Sequence, residues 1–324
     1  MVEVTHGGSG KVVAIVIAVL LMATAGFFYT LSSLQNPTNH DGTDTPIEGI
    51  DAPIHIKNDA EFAEQAETRG WPGNGIQLDP YVIENLSIVS SDYCIEIRSV
   101  GAAFIIRNCA LRTTDSNGLA LYLSDVHEAT VIGCRAEGGL SGIELFQCDR
   151  CSVGDCKVKY AGFGINASVS LETVIAGNTV GNCTFGITLC ASNLTHICNN
   201  TVYHSDIGVM AQFSYGCFLN NNSVTENVNG IELQGGCANW TVSNNKVLYN
   251  LETGLKVHGA ASGNIVYDNS LGWNSGSNAW DNGVNNSWDD GLSGGNSWSD
   301  YSGTGFYAIP GTANSIDHYP SVLA

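Results

Sequence analysis

Glu96 and Glu144 are the two carboxyls of this 324-residue chain whose spacing could serve acid–base chemistry. They hold equivalent places two repeats apart, and if the repeats are stacked strands they lie about 10 Å from each other. That is the far edge of the range in which one carboxyl protonates a glycosidic oxygen while a second acts on the sugar's other face. Proton abstraction beside a carboxylate would instead ask for a basic side chain and often calcium. The chain has only 12 Lys and Arg, densest at Arg98, Arg107, Arg112 and Arg135, and that group reads equally as a solvated strand edge. A binding ledge asks for less. Arg98, Tyr122, Glu144 and Phe146 offer aromatic faces beside polar groups, which suits a sugar ring, although cross-strand packing uses the same residue types. Binding is therefore the leading expectation, with Tyr122 and Phe146 expected side by side on consecutive coils. Glu96 and Glu144 are kept as catalytic candidates.

These positions are counted from a glycine–aliphatic dipeptide that recurs at Gly118-Leu119, Gly142-Ile143, Gly164-Ile165, Gly186-Ile187, Gly208-Val209, Gly230-Ile231 and Gly254-Leu255, with Cys94-Ile95 one step earlier. The steps are 24, 22, 22, 22, 22 and 24 residues. A period this steady marks a solenoid. Short β-favouring runs alternate with Gly and Asn turns and leave no room for a helix, so each coil reads as one rung of a right-handed parallel β-helix. Ile143, Ile165, Ile187 and Ile231 should stack inside. Asn178, Asn200, Asn222, Asn245 and Asn269 should form a ladder at a turn, where asparagine also tolerates left-handed backbone. Cys109, Cys134 and Cys156 precede them in the same column as small apolar fillers. Two residues beyond each anchor, Glu232 and Lys256 are expected to form a surface ion pair.

The ends need covers. Asn58 to Glu61 matches a capping box, so residues 59–69 read as a short N-terminal helix with Phe62, Ala63 and Ala66 on its apolar face. Residues 53–279 are then the β-helix with its cap, and residues 280–324, rich in Trp, Gly and Asp, an irregular C-terminal cap. Residues 12–34 are uncharged and long enough to cross a bilayer. Lys11 precedes them and the next basic residue is Lys57, which favours an external body. Residues 1–35 therefore read as a single-pass anchor, with a cleaved signal peptide ending at Ala23-Thr24-Ala25 as the rival and a secreted protein as its consequence. Residues 36–52 read as a linker. The formal charge of −19 argues against nucleic acid. Eight glycosylation sequons occur, at Asn85, Asn166, Asn182, Asn193, Asn199, Asn221, Asn239 and Asn285. Eleven cysteines outside the cytoplasm invite disulfides, and stacked buried thiols are an equal alternative. Oligomeric state is left open.

The segment Gly75-Ile76-Gln77-Leu78-Asp79-Pro80-Tyr81-Val82-Ile83-Glu84-Asn85-Leu86, the Gly-Ile and Asn-x-Val coils, and the terminal stretches Asn286–Gly291, Gly295–Tyr301 and Asp317–Pro320 together resemble the NosD-like and CASH-domain β-helix proteins of archaeal surface type. The resemblance spans about residues 51–320. It implies the β-helix and an association with carbohydrate, while the fold hosts lyases, hydrolases and inert adhesins alike. Relatives carry an Asp-rich, calcium-suited loop before the final Tyr-Pro. Here residues 303–316 hold no Asp or Glu, so Asp289, Asp290 and Asp300 are what remains for calcium, and turn capping is the simpler use for them. The NosD name brings copper, but Cys148-Asp149-Arg150-Cys151 is explained by the repeat and Met210 is the one methionine of the body, so no copper site and no resident cofactor is expected. The resulting reading is a membrane-anchored, external β-helix that binds a glycan or other cell-surface polymer without catalysis. A polysaccharide lyase or glycoside hydrolase is the first alternative. A structural envelope component or copper-processing accessory is the second.

Overall fold

The computed structural model describes residues 46–324, and the expected anchor at residues 12–34 lies outside them. Among the described residues no helix is long and apolar enough to cross a membrane. Three parallel sheets of ten, nine and eleven strands run the length of the solenoid. The first sheet extends from Ile54–Ile56 to Ser277–Asp281, the second from Tyr81–Glu84 to Ile265–Tyr267, and the third from Ser87–Ser90 to Ser321–Val322. Each coil contributes one strand to each sheet, so every inward aliphatic residue meets its counterpart one coil away. Ile143, Ile165, Ile187 and Ile231 are fully buried in one such column.

The glycines have a steric cause. A Cβ on Gly186 would lie 2.5 Å from Val202 Cγ1 and 2.4 Å from the Gly208 carbonyl oxygen, and Gly142, Gly164, Gly208 and Gly230 are equally tight against Val158, Val180, Val224 and Val247. In these five coils the first sheet turns in so sharply beside the third that no side chain fits, whereas Cys94 and Ala120 take the same position in the coils before them.

Asn178, Asn200, Asn222, Asn245 and Asn269 form the expected ladder, continued by Asn296. Each Oδ1 accepts from the backbone N–H and the side-chain amide of the asparagine one coil earlier, as in Asn200 N (3.0 Å) and Asn200 Nδ2 (3.0 Å) to Asn222 Oδ1. The left-handed backbone falls one residue before the ladder, at Gly177, Asn199, Asn221, Asn244 and Asp268, so the ladder residues themselves serve hydrogen bonding and not turn geometry. A second ladder, Asn227, Asn250, Asn274 and Asn278, lies between the third and first sheets. Cys109, Cys134 and Cys156 are buried where the first ladder would continue, and all eleven cysteines are free thiols.

The register departs from the sequence alignment in one coil. Ile95 pairs with Leu121 and Leu121 with Ile143, so Ala120-Leu121, and not Gly118-Leu119, occupies the anchor position. The turn at Thr114–Asn117 lengthens this coil and shifts the decoy dipeptide by two residues.

The helix Asp59–Arg69 covers the N-terminal end. Asn58 Oδ1 accepts from Glu61 N at 2.9 Å, and Gly70 closes the helix in left-handed backbone at φ 68°. Phe62 and Ala66 are buried, and Phe62 stacks on Tyr81 with ring centroids 4.8 Å apart. Ala63 is exposed instead of packed. At the other end Trp288 and Trp298 close the core. Their indole N–H groups donate to two buried carboxylates, Asp281 (2.8 Å) and Asp317 (2.9 Å). Asp317 Oδ2 also accepts from Asn296 N, which terminates the ladder.

Candidate functional site

The outward face of the first sheet carries the sequence candidates, in an arrangement the corrected register changes. One column runs His55, Glu96, Tyr122, Glu144, Asn166 and Thr188 on consecutive coils. Tyr122 thus sits between Glu96 and Glu144 instead of beside Phe146. Phe146 lies in the neighbouring column, where Ser124 and Ser168 flank it. Glu96 and Glu144 remain two strand spacings apart, about 10 Å.

Glu96 is 8 % exposed and is held by two partners. His55 Nδ1 lies 2.8 Å from one carboxylate oxygen and Arg98 Nε donates to the other. Burial alone would push this carboxyl up, but the hydrogen bonds from His55 and Arg98 outweigh it and hold it below the usual carboxylate range. Arg98 in turn lies over the Tyr122 ring, 4.5 Å from its centroid, and 5.8 Å from that of Tyr93. The two tyrosine rings are 5.7 Å apart. Each cation–π contact of a partly desolvated Arg contributes about 1 kcal/mol, so Arg98 is fixed by Glu96 on one side and the tyrosines on the other. His55 and Tyr93 were not among the sequence candidates. His55 precedes the first anchor and falls outside any alignment of the repeats.

Glu144 has the opposite environment. Its oxygens accept from Ser141 Oγ and Asn166 Nδ2, each at 2.7 Å. No cation is among these partners, and burial pushes the carboxyl up to about 7 against the two neutral hydrogen bonds. The face thus presents an ionised carboxylate, a carboxyl that titrates near neutrality and an aromatic ring between them. Such divergence is how protein sites divide acid and base roles between like groups.

Further along the same face Glu232, 5 % exposed, accepts from Gln234 and lies 3.0 Å from His258 Nε2. Lys256 is the strand neighbour of Glu232, as expected, and its charge favours the ionised carboxylate, while the hydrogen bonds come from His258 and Gln234. The terminal aspartates hold turns: Asp290 Oδ1 accepts from the backbone N–H groups of Leu292, Ser293 and Gly294, Asp289 accepts from Gly291 and His318, and Asp300 accepts from the Tyr307 hydroxyl. Among the sequons Asn166 is 9 % exposed with its amide engaged by Glu144, whereas Asn85, Asn182, Asn199, Asn221, Asn239 and Asn285 sit at left-handed turns. The fold's demand for turn asparagines accounts for most of that motif.

Residues 54–303 match the family described as periplasmic copper-binding protein (NosD). The chain belongs to the NosD family. That family's description is periplasmic, which agrees with a β-helix outside the cytoplasm. Among solved structures the solenoid is similar to the A-module of mannuronan C-5 epimerase AlgE4 from Azotobacter vinelandii, with 16% identity over 82% of this chain and 88% of that one, at a TM-score of 0.57. It is also similar to the AlgE6 A-module of the same organism (15% identity, 72% and 69% covered, TM-score 0.56) and to the periplasmic alginate epimerase AlgG (13% identity, 84% of both chains, TM-score 0.52). At these identities the likeness is one of fold. No curated protein matches the chain.

The NosD description raises copper, which takes Cys and Met as Cu(I) and imidazole in either state. Among the described residues no three His, Cys, Asp or Glu side chains converge. Cys148 and Cys151 are buried, with thiols donating to the Leu123 (3.4 Å) and Val126 (3.7 Å) carbonyls, and Met210 is 2 % exposed. His55, His258 and His318 each pair with a single carboxylate. These donors do not fit a copper ligand set.

Proposed function

We propose that the outward face of the first sheet binds carbohydrate, with residues 12–34 anchoring the solenoid to the outside of a membrane. The observation that carries this is the Tyr93–Arg98–Tyr122 cluster. It is an aromatic platform locked by a buried carboxylate, flanked by Glu144, Asn166 and the Phe146 ring on the next coil. Aromatic rings take the apolar face of a sugar, and fixed polar groups orient its hydroxyls. Because Arg98 is already neutralised by Glu96, the platform favours a neutral sugar. The names of structural neighbours support a saccharide polymer as the ligand class, since two are mannuronan epimerases and one an alginate epimerase. Titration with a panel of neutral polysaccharides tests the reading: binding should occur, and Tyr122→Ala should weaken it about tenfold or more.

One observation favours cleavage as a second reading. Glu144, pushed up to about 7, could donate a proton near neutrality while Glu96 stays ionised about 10 Å away. New reducing ends that vanish in Glu144→Gln would establish it over binding alone.

A further inference from the structure

The charge map of the third sheet runs against the rest of the molecule. The chain has 31 Asp and Glu against 12 Lys and Arg. Four of those twelve, Arg112, Arg135, Lys157 and Lys159, fall on three successive strands of this sheet, Ala110–Thr113, Arg135–Glu137 and Lys157–Lys159. The register pairs Arg112 with Glu137, Glu137 with Lys159, and Arg135 with Lys157. With neighbouring strands about 4.8 Å apart, the four cations occupy two adjoining columns around one acid, Glu137; Glu137 and Lys159 are buried, Arg112 and Arg135 half-buried, and Lys157 exposed. Arg135 Nε donates to Glu137 at 2.7 Å.

The buried Glu137 accounts for Arg135 and Lys159 beside it, but not for the exposed Lys157. Arg135 and Lys157 are like charges in direct cross-strand register, which destabilises a sheet. The same column continues with Thr179, Thr201 and Ser223 before Lys246, so the position accepts neutral residues, and Arg135 and Lys157 are its one pair of adjacent cations among the described residues. Arg112 is only partly exposed, and its Nε is shielded from water with no hydrogen-bond partner among the described residues. A buried donor left unpaired is costly and points to a missing acceptor. An aromatic wall closes the C-terminal side of the patch. Lys159 pairs with Gly181 and Gly181 with Tyr203, whose ring lies so close over the glycine that a Cβ there would meet it at 2.6 Å.

We infer that this patch is a second binding site, on a different face from the first, for a polysaccharide bearing carboxylate or sulfate groups. Arg112 and Lys157 would take the anionic substituents and Tyr203 the apolar face of a sugar ring. A duplex nucleic acid, which needs a longer run of phosphate contacts, is disfavoured by the small extent of the patch and the acidic surroundings.

The test uses the full chain, titrated with polygalacturonate, with dextran, with duplex DNA and with inorganic phosphate, at low and at high salt. Polygalacturonate should bind, more weakly as salt rises. Lys157→Glu at this exposed position and Arg112→Gln should each weaken it about tenfold or more, while Tyr122→Ala leaves it unchanged. Unaltered polygalacturonate binding in both charge variants would overturn the assignment. So would DNA binding as tight as polygalacturonate, or phosphate binding that depends on Lys157 without any binding of the polymer. Because Tyr122→Ala tests only the first sheet, failure of one site leaves the other readable.

Discussion

Replacing Glu144 by Gln should stabilise the protein in alkaline solution and leave it nearly unchanged in acid. The carboxyl is raised from an ordinary 4.5 to about 7 by burial, which the hydrogen bonds from Ser141 and Asn166 only partly offset. A raised carboxyl favours folding while it is protonated in both states, below 4.5. That advantage is lost as pH climbs through about 7, because the folded state must then hold a charge that the unfolded chain exposes to water. The difference between 4.5 and about 7 corresponds to about 3 kcal/mol at pH 9. Glutamine keeps the shape: its carbonyl can accept from Asn166, and its amide can donate to Ser141 Oγ. Urea unfolding followed by circular dichroism, wild type against variant, should show a stability difference of about 3 kcal/mol at pH 9 and less than about 0.5 kcal/mol at pH 4. Equal differences at the two pH values, or a variant less stable than wild type at pH 9, would refute the burial argument and the acid–base role built on it.

Three structural substitutions follow from the same reasoning. Gly186→Ala should destabilise by about 2 kcal/mol or more in a thermal melt, and Val202→Ala should not rescue it, because the Gly208 carbonyl remains 2.4 Å from the added methyl. Asn222→Ala should cost about 2–3 kcal/mol, since it orphans the Asn200 backbone N–H inside the core. Asp317→Ala should be at least as severe, because it strips the acceptor from Trp298 Nε1 and Asn296 N together. Tryptophan fluorescence would report that opening directly.

The solenoid was legible because its constraints repeat. Each Gly-Ile pair and each Asn-x-Val triplet meets the same neighbours one coil on, so the core column and first ladder could be read from spacing. The capping box at Asn58 was legible for a local reason, a hydrogen bond three residues long. Errors arose where a constraint was not periodic. The turn at Thr114–Asn117 placed Gly118-Leu119 where an anchor was expected, and one coil slipped by two residues. That slip places Tyr122 in the column of Arg98 and Phe146, whereas its strand partners are Glu96 and Glu144. The second ladder is less legible because its N-terminal positions are Cys183 and Ser205: Ser205 Oγ, in place of an asparagine amide, accepts from Cys183 N, and Ser205 N donates to Asn227 Oδ1. The divergence of Glu96 from Glu144 was not legible at all. It depends on which side chains approach each carboxylate, and His55 reaches Glu96 from 41 residues away.

The central claim is that the first sheet holds a sugar against Tyr122. Isothermal titration of the full chain with neutral polysaccharides, wild type against Tyr122→Ala, tests it most directly. The account predicts binding by the wild type and a loss of about tenfold or more in the variant. Wild-type affinity retained in Tyr122→Ala, or no binding by either protein, would contradict it.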